Sequence, residues 1–153
     1  MGKVIASITT SVDGYVTGPD DGPQYGLGRG MYDAAGGWGG TNPFPGTLFV
    51  LTHRTADQPP TESGFRFIAD RDVAFAQAVE AAGDGDVAIG GGADVIRQTL
   101  AAARVDELVI STAPVILGAG KRLFDGFDHD VDLEVAKVYS SPYATHVRYR
   151  VTR

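Results

Sequence analysis

Apolar residues in this chain gather into short runs divided by polar stretches rich in glycine and proline. Residues 3–9, KVIASIT, form a largely apolar run of the kind expected for a strand buried on both faces. TLFVLT (47–52), FRFIA (65–69) and DVAIG (86–90) read as further strands. ELVISTAPVIL (107–117) is also strand-like but is interrupted by Pro114, which belongs at an edge, an end or a bulge. The last two runs, LEVAKVYS and THVRYRVT, flank Ser-Pro-Tyr-Ala. The second alternates strictly, with Val147, Tyr149 and Val151 on one face and His146, Arg148 and Arg150 on the other, which predicts an antiparallel hairpin.

A helical period appears twice. Over 73–82 it places Val73, Ala76, Val79 and Ala82 on one face, with Asp70 or Asp72 as the cap and Gly83 as the stop. After Gly90-Gly91-Gly92, a second helix would bury Val95, Ile96, Thr99, Leu100 and Ala103 and turn Arg97, Gln98 and Arg104 outward. SVDGYVTGPDDGP, HRTADQPPTESG and GAGKRLFDGF carry turn chemistry and read as loops. Residues 27–45, with a short helix expected around Arg29–Ala35, are the least regular stretch. Strands alternating with helices and ending in a hairpin predict a mixed α/β sheet, parallel inside and antiparallel at its C-terminal edge. In such sheets ligands usually sit at the carboxyl ends of the strands.

Composition narrows the function classes. A chain of 153 residues fits one compact domain, 1–153, and the formal net charge of -6 argues against a general grip on nucleic acid. The absence of cysteine excludes disulfides, thiolate zinc sites and cysteine nucleophiles. The N-terminus lacks a signal-peptide pattern and no run reaches membrane-spanning length, so a cytoplasmic protein is expected. Glycine is in excess, 21 residues, or about twice the usual share of roughly 7%. The glycines stand at boundaries between apolar segments, not in a linker.

Three segments offer local chemistry. Gly90-Gly91-Gly92 ends a strand and opens a helix, where free N–H groups and the helix dipole favour an anion and missing Cβ atoms let a phosphate approach; the alternative is simply a tight turn. The pattern is neither G-x-G-x-x-G, since Val95 takes the third place, nor a Walker loop. Asp94, in the first helical turn, would repel a phosphate unless turned to solvent. Leu27-Gly28-Arg29-Gly30 adds a flexible backbone and a guanidinium suited to bidentate phosphate binding. Thr52-His53-Arg54 forms a cationic, hydrogen-bonding patch just beyond a strand. Tyr32, Trp38 and Phe44 make either an aromatic wall for a planar heterocycle or a small satellite core. His129 and His146 read as surface residues, with no metal constellation.

In series, IASITTSVDGYV (5–16), LGRGMY (27–32), FVLTHR (49–54), DVAIGGGADVIRQTL (86–100), VDELVISTAPVILGAGKRLF (105–124) and THVRYRV (145–151) resemble the dihydrofolate reductase superfamily. More narrowly, the sequence resembles bacterial proteins similar to the C-terminal reductase domain of the bifunctional riboflavin biosynthesis protein. The resemblance implies a three-layer fold, with a central mixed, mostly parallel sheet flanked by helices and a C-terminal antiparallel hairpin. It implies NADPH lying across that sheet, and reduction of a small heterocyclic substrate. The activity attached to the family is reduction of 5-amino-6-(5-phosphoribosylamino)uracil. Dihydrofolate reduction, or nucleotide binding by a non-catalytic dimer, are the alternatives.

Carried over residue by residue, the resemblance assigns Gly90, Gly91 and Gly92, with Ala93 and Val95 beyond them, to the pyrophosphate, with a cis peptide at Gly90-Gly91. It assigns Gly28 and Arg29 to phosphate and Thr52, His53 and Arg54 to the adenosine ribose, where a cation would select NADPH over NADH. Asp13 of SVDG is the candidate catalytic group on the substrate side, the alternative being an Asx-type turn with Gly14. Tyr32 and Trp38 are candidate substrate contacts, and Lys121 and Arg122 a candidate basic pocket for a substrate phosphate. The sequence departs from its relatives in a shorter segment after the first loop and in Gly30 and Met31 after Gly28-Arg29. A homodimer is expected, with ELVISTAPVIL pairing across copies if it lies at a sheet edge.

Overall fold

The computed structural model describes residues 2–17, 32–33, 35–90 and 92–152. Its centre is a five-stranded sheet in the order β5-β1-β6-β9-β8, formed by β1 (Val4–Thr10), β5 (Val87–Ile89), β6 (Glu107–Thr112), β8 (Asp132–Ser140) and β9 (Thr145–Thr152). β1 runs parallel to both β5 and β6, while β9 is antiparallel to β6 and to β8. The mixed α/β architecture, parallel inside with a C-terminal hairpin, is the one the hydrophobic pattern predicts. Two smaller pairs accompany it: β3 (Leu48–Leu51) runs parallel to β4 (Phe65–Ile68), and β2 (Tyr15–Thr17) antiparallel to β7 (Lys121–Arg122). β6 ends at Thr112, two residues before Pro114, so the proline falls beyond the ladder where its missing N–H costs nothing.

The two faces of the central sheet differ. Val4, Ala6 and Ile8 of β1 share one face with Ile89, Leu108, Ile110, Tyr149 and Val151, and this face packs on helix α2 (Ala93–Ala101). That helix buries Ala93, Ile96, Thr99 and Leu100, and the Thr99 hydroxyl donates to the Val95 and Ile96 carbonyls, removing its polar cost. Ala103, expected in the buried stripe, lies beyond the helix end at φ 54° and is exposed. The opposite face carries Ile5, Ser7 and Thr9 of β1 in register with Glu107, Val109 and Ser111 of β6. Buried Glu107 is matched there by Lys3 at 2.6 Å and by Arg148, which hold its carboxyl below the usual range, the Lys3 hydrogen bond contributing most.

Helix α1 (Arg71–Ala82) starts two residues before the expected boundary because Asp70 is the cap: its carboxylate accepts from Val73 N at 2.9 Å. Its inward face is also not the expected one. Val73 and Ala76 are exposed, whereas Ala74, Phe75, Ala78, Val79 and Ala82 face inward and Phe75 packs on the main core. The bulkiest apolar residue, Phe75, sets the rotation of a helix whose small alanines fit either side.

A second core lies under β3 and β4, where Val50, Phe65 and Phe67 are buried and Tyr32, Trp38 and Leu48 pack against them. Tyr32 meets Phe65 and Phe67 edge to face, and Trp38 stacks on Phe65 at 6.0 Å. Gly37, at φ +59°, passes so close that a Cβ there would lie 2.9 Å from the Tyr32 hydroxyl.

The loop after β1 is tied down by Asp13. Its carboxylate accepts from Ser11 Oγ at 2.5 Å, from Leu117 N at 3.1 Å and from Gly118 N at 2.8 Å, which joins the β1–β2 loop to the turn before β7. These donors, Ser11 foremost, lower its pKa from the ordinary 3.8 to about 2. Among the described residues no helix is long and apolar enough to cross a membrane.

Two outcomes are expected. Asp70→Ala removes the cap and lowers stability by about 1 kcal/mol, read as a melting temperature lower by about 2–4 °C. Because the Asp13 carboxyl is depressed in the folded state, its contribution is present above pH 3.8 and lost as pH falls toward 2. Asp13→Asn should therefore melt below the wild type at neutral pH, with the gap closing as pH falls from about 5 to about 2; a gap independent of pH contradicts the clamp.

Candidate functional site

β1 and β6 are parallel and in register over six residues, so their carboxyl ends lie side by side. Both end in small hydroxyl residues, Thr9-Thr10-Ser11 and Ser111-Thr112. A cavity of about 600 Å³ opens there, walled by these strand ends, by Gly90 after β5, and by Tyr15, Val16, Val115 and Leu117. This is the location that physical reasoning assigns to ligands in an open α/β sheet. Ser11 is buried and its backbone N–H donates to the Tyr15 carbonyl at 2.9 Å, while its hydroxyl also accepts from Tyr15 N at 3.0 Å, so the turn fixing Tyr15 against the cavity is rigid.

Gly90 and Gly92 flank the entrance to α2. Gly92 caps the helix with extended backbone at φ -66° and has no side chain to offer, so the first-turn N–H groups receive no capping hydrogen bond from it. Gly91, and with it the expected cis peptide at Gly90-Gly91, lies outside the described residues. Ala93 is buried and Val95 is half-buried against the main core. Neither side chain points at a ligand, so any contact from these two would come through the backbone.

Asp94 is not simply turned to solvent. It pairs with Arg97, one turn on, and with Lys121 Nζ of β7 at 2.8 Å. Those two cations hold its carboxyl below the usual range, Lys121 foremost. One carboxylate facing two cations leaves a surplus positive charge beside the helix N-terminus, the opposite of the repulsion that Asp94 alone would exert. Lys121 is thereby engaged with Asp94. Arg122 places its guanidinium 5.1 Å from the centroid of the Tyr15 ring, at the cavity wall.

The other predicted residues fall elsewhere. Gly28 and Arg29, with residues 30, 31 and 34 of the helix expected at Arg29–Ala35, lie outside the described residues, while Tyr32 and Asp33 are helical. Thr52 is buried and its hydroxyl accepts from Arg54 N at 3.1 Å, so it shapes the turn after β3. His53 is exposed, and Arg54 reaches Asp33 Oδ2 at 2.6 Å while remaining largely open to solvent. Tyr32 and Trp38 belong to the second core, so the satellite-core alternative describes them, and only half-exposed Phe44 extends that cluster outward. Asp13 spends its carboxylate on three donors and is held ionised, which fits a loop clamp and not a proton donor.

Two residues escaped the sequence pattern. Ser111 lines the cavity, and its hydroxyl sits 2.6 Å from Nδ1 of His146, its cross-strand partner on β9. The signal available was the strict alternation of THVRYRV, which put His146 on the polar face; the register that brings it to Ser111 is a tertiary fact. His129 is exposed and bonds to neighbouring Asp128, at 2.5 Å. Among the described residues no group of three or more His, Asp or Glu side chains is placed to hold a metal ion.

Comparison with known proteins agrees with this geometry. The family model of the RibD C-terminal domain matches residues 44–147. None of the curated proteins matches in sequence. Among solved structures, a protein of Shewanella sp. PV-4 assigned to riboflavin biosynthesis superposes with TM-score 0.78 at 23% identity, over 99% of both chains. A pyrimidine reductase-like protein of Corynebacterium diphtheriae gives 0.66 at 19% identity, over 99% of this chain and 92% of that one. The Thermotoga maritima diaminohydroxyphosphoribosylaminopyrimidine deaminase/5-amino-6-(5-phosphoribosylamino)uracil reductase gives 0.68 at 12% identity, where this chain aligns with 57% of the longer protein. With a parallel β5-β1-β6 core, a C-terminal hairpin and a family match over two thirds of its length, the protein belongs to the RibD C-terminal domain family and has its dihydrofolate reductase-like fold.

Proposed function

We propose that this protein is an NADPH-dependent reductase of a small heterocyclic substrate, of the ribosylaminopyrimidine class named for the Thermotoga maritima enzyme. The observation that carries the reading is the cavity at the carboxyl ends of β1 and β6, which opens at Gly90 beside the N-terminus of α2. A helix start whose Gly92 cap offers no side chain, a glycine entrance and a surplus cation from the Asp94–Arg97–Lys121 group together fit a pyrophosphate. Gly90 and Gly92, with the backbone of Ala93, would hold it. Arg54 is the exposed cation for a ribose 2'-phosphate, and Gly28 and Arg29 complete the phosphate contacts that the family resemblance implies.

A dihydronicotinamide, if held along this cleft, would supply hydride. The protein's share is orientation and exclusion of water: Ile8, Val16, Val115 and Leu117 give the cavity an apolar wall, and the hydroxyls of Thr9 and Ser111 give it hydrogen-bonding specificity. Arg122, over the ring of Tyr15, would meet a phosphate on the substrate.

The expected homodimer would use a different strand from the one the hydrophobic pattern points to. β6 lies inside the sheet between β1 and β9, so its pairing edges are already used. An open edge of the sheet is β8, where Leu133, Val135 and Val138 are 39%, 59% and 56% exposed. An edge strand with this much apolar surface is the place for a second copy.

Titration with NADPH should raise the melting temperature, since a ligand at about 100 times its Kd adds about 2.7 kcal/mol; no shift at millimolar NADPH overturns the cofactor assignment. Arg54→Ala should weaken NADPH more than NADH, and equal losses remove Arg54 from the 2'-phosphate. Gel filtration at micromolar concentration should give a dimer that Val135→Asp converts to monomer; a monomeric wild type rules it out.

A further inference from the structure

A reductase must deliver a proton as well as a hydride, and the cavity wall supplies few groups able to do so. Among the described residues that line it, Tyr15 is the only one with a titratable side chain, and the nearby Asp13 carboxylate is engaged by three donors and held ionised. The wall does, however, connect to an imidazole one strand away. Thr9 of β1, Ser111 of β6, His146 of β9 and Tyr139 of β8 occupy one register row and therefore one face of the sheet. Within that row, Ser111 Oγ lies 2.6 Å from His146 Nδ1.

We propose that Ser111 and His146 form the proton-delivery pair of the cavity, with Ser111 the catalytic residue and His146 the positioning residue behind it. The inference rests on the reductase reading given above. Its physical basis is the direction of one hydrogen bond. When the imidazole is neutral and carries its proton on Nε2, Nδ1 accepts, and the Ser111 hydroxyl hydrogen is spent on it. When the imidazole is protonated, Nδ1–H donates to Ser111 Oγ and frees the hydroxyl hydrogen to point into the cavity. Protonation of His146 thus turns Ser111 from an internal donor into a donor toward the ligand.

The balance is simple. In the ring-opened imine form of the substrate, the imine carbon would take a hydride and its two electrons from a bound dihydronicotinamide, which would be oxidised. The imine nitrogen takes the Ser111 hydroxyl proton, and His146 Nδ1–H replaces it on Oγ, so the imidazole ends neutral. His146 is half-buried and keeps contact with solvent, from which it is reprotonated.

Three strands present groups toward His146. From β9 itself Arg148 shares its face, but that guanidinium is bound to Glu107. From β8 come Tyr139, its cross-strand partner, and Lys137, whose amine lies 4.8 Å from the Tyr139 ring centroid. From β6 come Ser111, Val109 and Glu107, the last matched by Lys3 and Arg148. Among the described residues the hydrogen bond of the His146 side chain goes to Ser111 and not to a carboxylate.

The test compares wild type, Ser111→Ala and His146→Gln by three readouts: thermal shift with NADPH, steady-state oxidation of NADPH with a 5-amino-6-ribosylaminouracil across pH, and ¹⁵N NMR of the histidine rings without cofactor. General acid catalysis contributes typically about 10²–10⁴-fold. Both variants should keep the NADPH shift, lose about 10²-fold or more in kcat with KM nearly unchanged, and flatten the alkaline limb of the pH profile. Ser111→Ala should also move the Nδ1 resonance of His146. Wild-type kcat and pH profile in His146→Gln, or an Nδ1 resonance indifferent to Ser111→Ala, overturns the pair while leaving the reductase reading intact. A wild type that neither binds nor oxidises NADPH overturns the reading, and the pair's role with it.

Discussion

The parallel pairing of β1 with β6 is the constraint on which the rest of the molecule depends. Six consecutive register pairs, Ile5 with Glu107 through Thr10 with Thr112, put two carboxyl strand ends at one level and open the cavity between them. The same pairing fixes which side chains share a face. It sends Val4, Ala6, Leu108 and Ile110 toward α2 and leaves Thr9 and Ser111 beside the cavity and His146. A slip of one residue would exchange these two sets, burying hydroxyls and exposing the core. Packing of Leu108 and Ile96, both essentially inaccessible to solvent, is what forbids that slip.

Charge around the mouth is organised by pairing across elements distant in sequence. Asp94 and Lys121 are 27 residues apart, and Asp13 reaches the backbone of Leu117, 104 residues on, and of Gly118, 105 residues on. Each contact ties a loop to the rim of the cavity and also sets its electrostatics. The clamp at Asp13 keeps an ionised carboxylate on backbone donors, and the Lys121 contact offsets the negative charge of Asp94 next to the glycine entrance. An acidic protein of net charge -6 thereby presents a locally positive helix start.

Most strands were legible because burial on a sheet leaves a period-two or continuous apolar record, as in KVIASIT and THVRYRVT. The capping carboxylate before α1 was legible too, although two aspartates competed and only Asp70 reaches Val73 N. The rotation of α1 was not, because its alanines are neutral to either orientation and Phe75 decides the matter by contact with the core. Tyr32 and Trp38 illustrate the same limit: aromatic residues near glycines suit a ligand wall or a core equally, and their choice of core depends on Phe65 and Phe67, which are remote in sequence.

The amino-acid pattern alone determined the order of the long strands and of α1 and α2, the antiparallel C-terminal hairpin, the glycine entrance to α2 and the absence of thiol chemistry, because each is recorded in neighbouring residues; the short β2–β7 pair falls in stretches that read as loops. Tertiary structure decided that β6 is interior and β8 an open edge, that Lys121 answers Asp94, that Asp13 is a clamp, and that Ser111 meets His146. Strand order and cross-strand register are set by long-range packing and hydrogen bonding, and short-range sequence carries no term that measures them.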